Sequence, residues 1–473
     1  MKPSIALVAC AASLALSACA TAPSPPSAEL YTGFTLIDPA TETRIENAYL
    51  VVADGRIIAT GRGNGPADIA AERRHDMQGA YALPGLIDTH AHITLGTLAV
   101  AMENGAPILQ ARSEGEIIAH NARMLVSFGV TTIRNPGGAT EANVTYNRRI
   151  QAGELIGPEQ RAAGEILDTM RFDGLTTAVT DATSIEAAVA HQAEAGMNYI
   201  KLYQLLNETQ FRSGVEAARR HGLEVITHTG AITWDRATEL GVGAIVHVMP
   251  ISADSLPEPA RSGYRGADQI GAHAFYEWWE RADLDSPEIG RLITTLAQRD
   301  VTVDLTLVVF QKAFWGDDAA VRDNGAEFVH PLMREAWRTF RFDSGWQAEH
   351  YARARAVWPK IQRFARMLHE AGVPLTIGTD LSNPFVSPGF DTIAEMRLHQ
   401  DAGIAAWDVL RMATSDAAAT LHMDDRIGRL DRGMEADIVF VDGDPSVDVA
   451  NAGHTRLVLI NGVRYDGSAL RAH

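Results

Sequence analysis

Between residues 81 and 422 the chain alternates short, nearly continuous apolar runs with longer stretches whose apolar positions recur every three to four residues. The first texture predicts buried strands and the second predicts amphipathic helices. Strands are expected at Leu83–His92, Gly129–Asn135, Arg161–Leu167, Tyr199–Tyr203, Glu224–Thr229, Ala244–Met249, Val301–Val309 and Val373–Asp380. Helical patterns such as Ile117–Phe128, Ser184–Ala195, Glu208–Arg220, Thr233–Leu240, Glu288–Arg299 and Arg353–Ala371 lie between them. Eight strand–helix units predict an α/β protein built as a (β/α)8 TIM barrel, in which reactive groups gather at the C-terminal ends of the strands. An open doubly wound sheet is the structural rival. Ligand-type residues on several strand ends favour closure.

The flanks read differently. Residues 29–80 and 423–473 carry short β-like runs, among them Tyr31–Asp38, Ala48–Ala53 and Asp437–Asp442, punctuated by Gly, Asn and Asp. They predict one small β-domain assembled from both ends. Two connections in the middle are long: 54 residues separate His247 from Val301, and 64 separate Val309 from Val373. Both should hold insertions. Trp278, Trp279, Trp315, Trp337, Trp346 and Trp358 all fall in them. Cementing the extra helices is the simplest role for these rings; walling a pocket, or forming a homo-oligomer interface, are the others.

The N-terminus stands apart. Lys2 precedes an apolar stretch from Ile5 to Leu16 that is too short to span a bilayer, as in a secretory signal. Leu16-Ser17-Ala18-Cys19 matches the lipobox of bacterial lipoproteins, in which the cysteine becomes acylated after cleavage. Residues 1–18 are therefore expected to be a signal peptide. Residues 19–28 would be a lipid-anchored tether whose Pro-rich part, Thr21 to Ala28, reaches roughly 26 Å, holding the protein on a membrane facing the periplasm; a soluble periplasmic protein is the alternative. Cys10 and Cys19 are the two cysteines, so the folded part would hold neither a thiol nor a disulfide. The formal charge of −18 disfavours binding to nucleic acid.

Candidate chemistry sits where the strands end. His90 and His92 form a His-x-His pair, and side chains two apart on a strand share a face. Lys201, His228, His247 and Asp380 close the fourth, fifth, sixth and eighth expected strands. Neutral imidazole and carboxylate suit zinc and related divalent ions. Lysine cannot ligate as an ammonium, but a buried lysine beside cations would lose its proton and could react with CO₂ to give an anionic carbamate. Asp380 can serve both as ligand and as general base toward an attacking hydroxide.

Several segments carry a family resemblance: Leu83-Pro84-Gly85-Leu86-Ile87-Asp88-Thr89-His90-Ala91-His92, Gly129-Val130-Thr131-Thr132-Ile133-Arg134, Ile200-Lys201, His228, His247, Thr379-Asp380 and Gly433-Met434-Glu435-Ala436-Asp437-Ile438. In order and spacing the chain resembles the amidohydrolase superfamily, and within it the imidazolonepropionase-like and prolidase-like group. The resemblance implies a distorted (β/α)8 barrel with a β-sandwich from the two termini. It implies two divalent ions, zinc foremost: His90, His92 and Asp380 on one, His228 and His247 on the other, with carboxylated Lys201 bridging. It implies hydrolysis of an amide or peptide-type C–N bond in a small-molecule substrate by a metal-bridging hydroxide. The alternatives at the same centre are a lactone, a carbamate ester or a cyclic amide. Lys201 argues against the one-metal deaminases of the superfamily. Two positions depart from the group's pattern: Asn135 follows Arg134 where many members have Asp, and Gly230 stands two residues past His228 where prolidase-like members often have Tyr.

Overall fold

The computed structural model of the protein describes residues 24–25, 27–104, 106–230, 232–264 and 273–472. The expected signal peptide, Cys19 and the first part of the tether lie outside the described residues. Among those described, no helix is long and apolar enough to cross a membrane.

Eight short parallel strands form the centre of the molecule. Strand β1 (Leu86–Asp88) pairs with β2 (Val130–Asn135), and β2 with β3 (Glu159–Ala162). A second ladder runs without a break through β4 (Tyr199–Leu202), β5 (Glu224–Thr227), β6 (Ala244–Val246), β7 (Thr302–Asp304) and β8 (Leu375–Thr376). A single bridge, Ala163 to Tyr199, joins β3 to β4. At the other seam Thr89 N donates to Ile377 O at 2.7 Å and Asp380 N to His90 O at 2.7 Å, and Ala91 bridges Leu381. The ring is thereby closed as a distorted (β/α)8 barrel, thinly hydrogen-bonded at its two seams. Strands β4 and β6 to β8 are buried at every position, as expected of parallel strands sheathed by helices.

Most expected strands are shorter in the structure, Val373–Asp380 being strand only over Leu375–Thr376 and Ala244–Met249 only over Ala244–Val246, and three others are broken or split. Leu83–His92 breaks at Gly85: Tyr81–Pro84 joins the terminal sheet and Leu86–Asp88 the barrel. Arg161–Leu167 is likewise split, with Ile166–Asp168 forming a separate strand beside β4. Val301–Val309 is strand only over Thr302–Asp304. Thr306 turns into the left-handed region at φ 47°, and Leu307–Phe314 is a helix whose apolar run had the look of a buried strand.

The terminal β-domain is an eight-stranded sheet drawn from both ends of the chain, seven strands on one hydrogen-bonded path and Arg74–Asp76 pairing off it with Glu29–Asp38. Tyr81–Pro84 lies at its middle, pairing with Glu29–Asp38 on one side and Ile438–Val441 on the other. Tyr31, Phe34, Leu50, Ile57, Ile438 and Phe440 form its apolar core. A three-stranded flap, made by Leu98–Glu103, Ala106–Ala111 and Phe172–Asp173, follows β1 and β3. The alternation of the sequence gave no warning of it.

Gly85 is the hinge between the terminal sheet and β1. A Cβ there would stand 2.1 Å from Thr131 Oγ1 and 2.9 Å from Thr131 Cβ. Thr131 is buried and cannot retreat. Gly85→Ala is therefore expected to lower stability by about 2 kcal/mol, measured as an earlier midpoint of urea unfolding; an unchanged midpoint would refute the close approach.

Candidate metal centre

All six ligand-type residues converge at the C-terminal mouth of the barrel. His90 and His92 follow β1, Lys201 lies in β4, and His228 and His247 come directly after β5 and β6. Asp380 lies on the turn beyond β8 and reaches three of the histidines. Its Oδ1 is 3.3 Å from His90 Nε2 and 3.4 Å from His92 Nε2, and its Oδ2 is 3.7 Å from His247 Nδ1. The rings of His228 and His247 are 4.7 Å apart, as are those of His90 and His247. Lys201 Nζ is 3.5 Å from His90 Nε2. His90, His247 and Asp380 offer ligand atoms all within 4.8 Å of one another, close enough to hold a metal ion together. His92, His228 and Lys201 border that group.

Burial sets the charge states. It pushes His92 and His247 down and, with help from the Lys201 charge, brings His228 down to about 3. These imidazoles are neutral at pH 7 and can ligate. For His90 burial opposes the charge, but the carboxylates of Asp304 and Asp380 outweigh it and carry the value up. Burial would also raise Asp380; the surrounding His247 and His90 prevail and hold its carboxyl well below the usual range. Lys201 falls to about 8, again through burial.

A second set of buried groups aims these side chains. Asp304, at the end of β7, has Oδ1 2.8 Å from His90 Nδ1 and accepts Arg134 Nη2 on Oδ2 at 2.7 Å. Asp88 accepts His90 N at 3.0 Å, Thr379 Oγ1 at 2.8 Å and Thr392 Oγ1 at 3.0 Å, tying β1 to the turn that carries Asp380. His92 Nδ1 donates to Gly137 O at 2.6 Å, and Asn135 Oδ1 accepts Gly137 N at 3.2 Å. His247 Nδ1 is 2.9 Å from Thr306 Oγ1, and Glu395 accepts Leu307 N and Val308 N just beyond at 2.9 and 2.7 Å. His247, Thr306 and Asp380 all have positive φ, at 69°, 47° and 60°. Strained backbone of this kind persists where its surroundings overdetermine it, commonly at functional sites.

Asp304 was missed from sequence because the seventh strand was read as running on to Val309. With the strand ending at Asp304, the acid takes the same strand-end place as the other ligand-type residues. Gly230 has a steric cause: a Cβ there would lie 2.3 Å from Gln204 O. No tyrosine fits at that position in this backbone.

Above the six residues opens a cavity of about 320 Å³ with His92, Lys201, His228, His247 and Asp380 among its lining. The insertion tryptophans do not line it. Trp278 and Trp279 are wholly buried, and the six cement the added helices. The aromatic part of the pocket wall is phenylalanine, set among Leu, Ile and Met side chains, from residues that sequence reading did not single out.

The amidohydrolase family matches this chain over residues 325–464. Imidazolonepropionase from Caldanaerobacter subterraneus subsp. tengcongensis is 25% identical, over 85% of this chain and 86% of its own. That from Ralstonia nicotianae is 26% identical, over 86% and 89%. Among solved structures, a Xaa-Pro dipeptidase with bound methionine in the active site superposes with a TM-score of 0.67 at 20% identity, covering 93% of this chain and all of that one. Bottromycin amidohydrolase gives 0.68 at 22% identity, covering 94% and 88%. These two likenesses speak to the fold.

Asp304→Asn keeps the shape but removes the charge that holds His90 by its Nδ1–H. Partners of this kind govern metal affinity by roughly 10–100-fold. The variant is expected to lose an added divalent metal ion that much more readily in competition with a chelator; wild-type affinity would refute the role.

Proposed function

We propose that the chain is a member of the amidohydrolase superfamily and a metal-dependent hydrolase of amide-type C–N bonds, with His90, His92, His228, His247, Asp380 and Lys201 as its metal site. The observation that carries the reading is His228. It is buried among the converging ligands, yet neither ring nitrogen has a hydrogen-bond partner among the described residues. An unsatisfied buried polar atom costs about 1–3 kcal/mol, and a ligand role removes that cost. The donor set fits: His92, His228 and His247 held neutral by burial, and a carboxylate held ionised beside them.

Two zinc ions bound there would polarise the scissile carbonyl and lower the pKa of a bound water. The chain supplies the rest. Asp380, ionised and within reach of three histidines, takes a proton from the attacking water and returns it to the leaving nitrogen. Water adds across the C–N bond, giving an acid and an amine. Lys201, its pKa brought down to about 8 by burial, can lose its proton and add to CO₂ with release of a second proton, which would replace a cation among the ligands by an anionic carbamate able to hold metal. Asp304 and Arg134 hold His90 while this happens, so the imidazole need not reorganise.

Full-length protein is expected to carry two zinc ions per chain. Chelation should abolish amide hydrolysis, and zinc should restore it. Lys201→Ala is expected to lower kcat/KM by about 100-fold or more, since several kcal/mol of carbonyl activation are at stake. Fewer than one metal per chain in an active preparation, or an unimpaired Lys201→Ala enzyme, would sink the reading.

We propose in addition that the protein is a lipoprotein anchored through acylated Cys19 and facing the periplasm. The support is the sequence from Lys2 through Cys19. Cys19→Ser should abolish fatty-acid labelling and shift the protein from the membrane fraction to the soluble one; unchanged partitioning refutes the anchor.

A further inference from the structure

We infer that the part of the substrate lodged above the metal centre is bulky, aromatic and uncharged: an aryl or aralkyl amide with no carboxylate on that portion. This rests on the reading of the centre as an amide hydrolase and adds the class of amide.

The floor of the cavity comes from the barrel strand ends, and its aromatic side comes from added loops. Phe275 comes from the insertion after β6. Phe310, Phe340 and Phe342 come after β7, and Phe172 comes from the flap. Four of these rings form a chain: Phe310 to Phe275 at 5.4 Å, Phe275 to Phe342 at 5.6 Å and Phe342 to Phe340 at 6.2 Å between centroids. Phe275, Phe340 and Phe342 are only half-buried. Rings left half-exposed along a cavity offer edge-to-face and offset contacts to an aromatic guest.

Among the described residues, the one cation in that wall outside the metal centre is already taken. Arg341, between Phe340 and Phe342, directs Nε and Nη2 to Asp343 at 2.9 and 2.5 Å, and Nη2 also to Gly316 O at 3.3 Å. Asp343 is buried and accepts Tyr351 Oη at 2.6 Å as well. Drawing Arg341 toward a substrate carboxylate would strand that buried acid. The other positive groups of the lining, Lys201 and the histidines, belong to the metal centre. A carboxylate on the bulky end would therefore leave water for phenylalanine rings with no counter-charge. Gly230 points the same way, since its backbone excludes the tyrosine hydroxyl that the prolidase-like pattern places there.

The test offers zinc-loaded full-length protein three amides: N-phenylbenzamide, the same molecule with a carboxylate on the aniline ring, and N-methylacetamide. The neutral aryl amide should show a kcat/KM about 10-fold above its anionic analogue and about 100-fold above N-methylacetamide. Phe275→Ala should raise KM for it about 10-fold. Preference for the anionic or the small amide, or an unmoved KM, overturns the inference. If none of the three is hydrolysed, the amide-hydrolase reading is what has failed. Calorimetry on the same protein then decides the inference: tighter binding of N-phenylbenzamide than of its anionic analogue supports it, and equal or reversed affinities overturn it.

Discussion

The Asp304 carboxylate, sealed from water, is shared between Arg134 and His90. It joins the ends of three strands that are far apart in sequence. Without it the His90 ring would have no fixed tautomer and the Arg134 guanidinium would be a buried charge with no counter-ion. Removing one partner from a buried pair typically costs several kcal/mol, because the other is left stranded. The same contact therefore steadies the barrel and aims a ligand. The seam beside it, where Asp380 N meets His90 O, brings the last strand end against the first.

Charge at the site follows from burial more than from any single pair. Several ionisable groups share one dry space, and desolvation favours whichever protonation pattern keeps the net charge small. Three imidazoles give way and become neutral, the lysine weakens, and the one carboxylate surrounded by potential cations stays ionised. That pattern is what divalent ions require, and it exists in the protein side chains alone. Strain has the same logic. Positive φ at His247, Thr306 and Asp380 is held by Glu395, Asp88 and the barrel seam, so ligand direction is secured before any ion arrives.

Legibility differed by element. Strands β4, β5 and β6 were readable because their apolar runs are short, bounded and end in a chemically distinctive residue. Val301–Val309 misled because a strand and a buried helix segment are both continuous apolar runs, and the turn at Thr306 depends on a tertiary contact to His247. The flap was missed because its first two strands form a local hairpin whose apolar side is covered only when Phe172, more than sixty positions on, joins it. The tryptophans drew notice by size, yet the smaller Phe275, Phe340 and Phe342 line the cavity.

From sequence alone came the α/β barrel, the β-domain from both termini, and the convergence of His90, His92, Lys201, His228, His247 and Asp380. Strand periodicity and strand-end position are local properties, and a closed barrel turns eight such positions into one ring. Tertiary structure alone decided which buried acid aims His90, why Gly230 admits no side chain, and which rings line the cavity. Those depend on distances between segments with no fixed offset in the chain, set by loop packing that no period encodes.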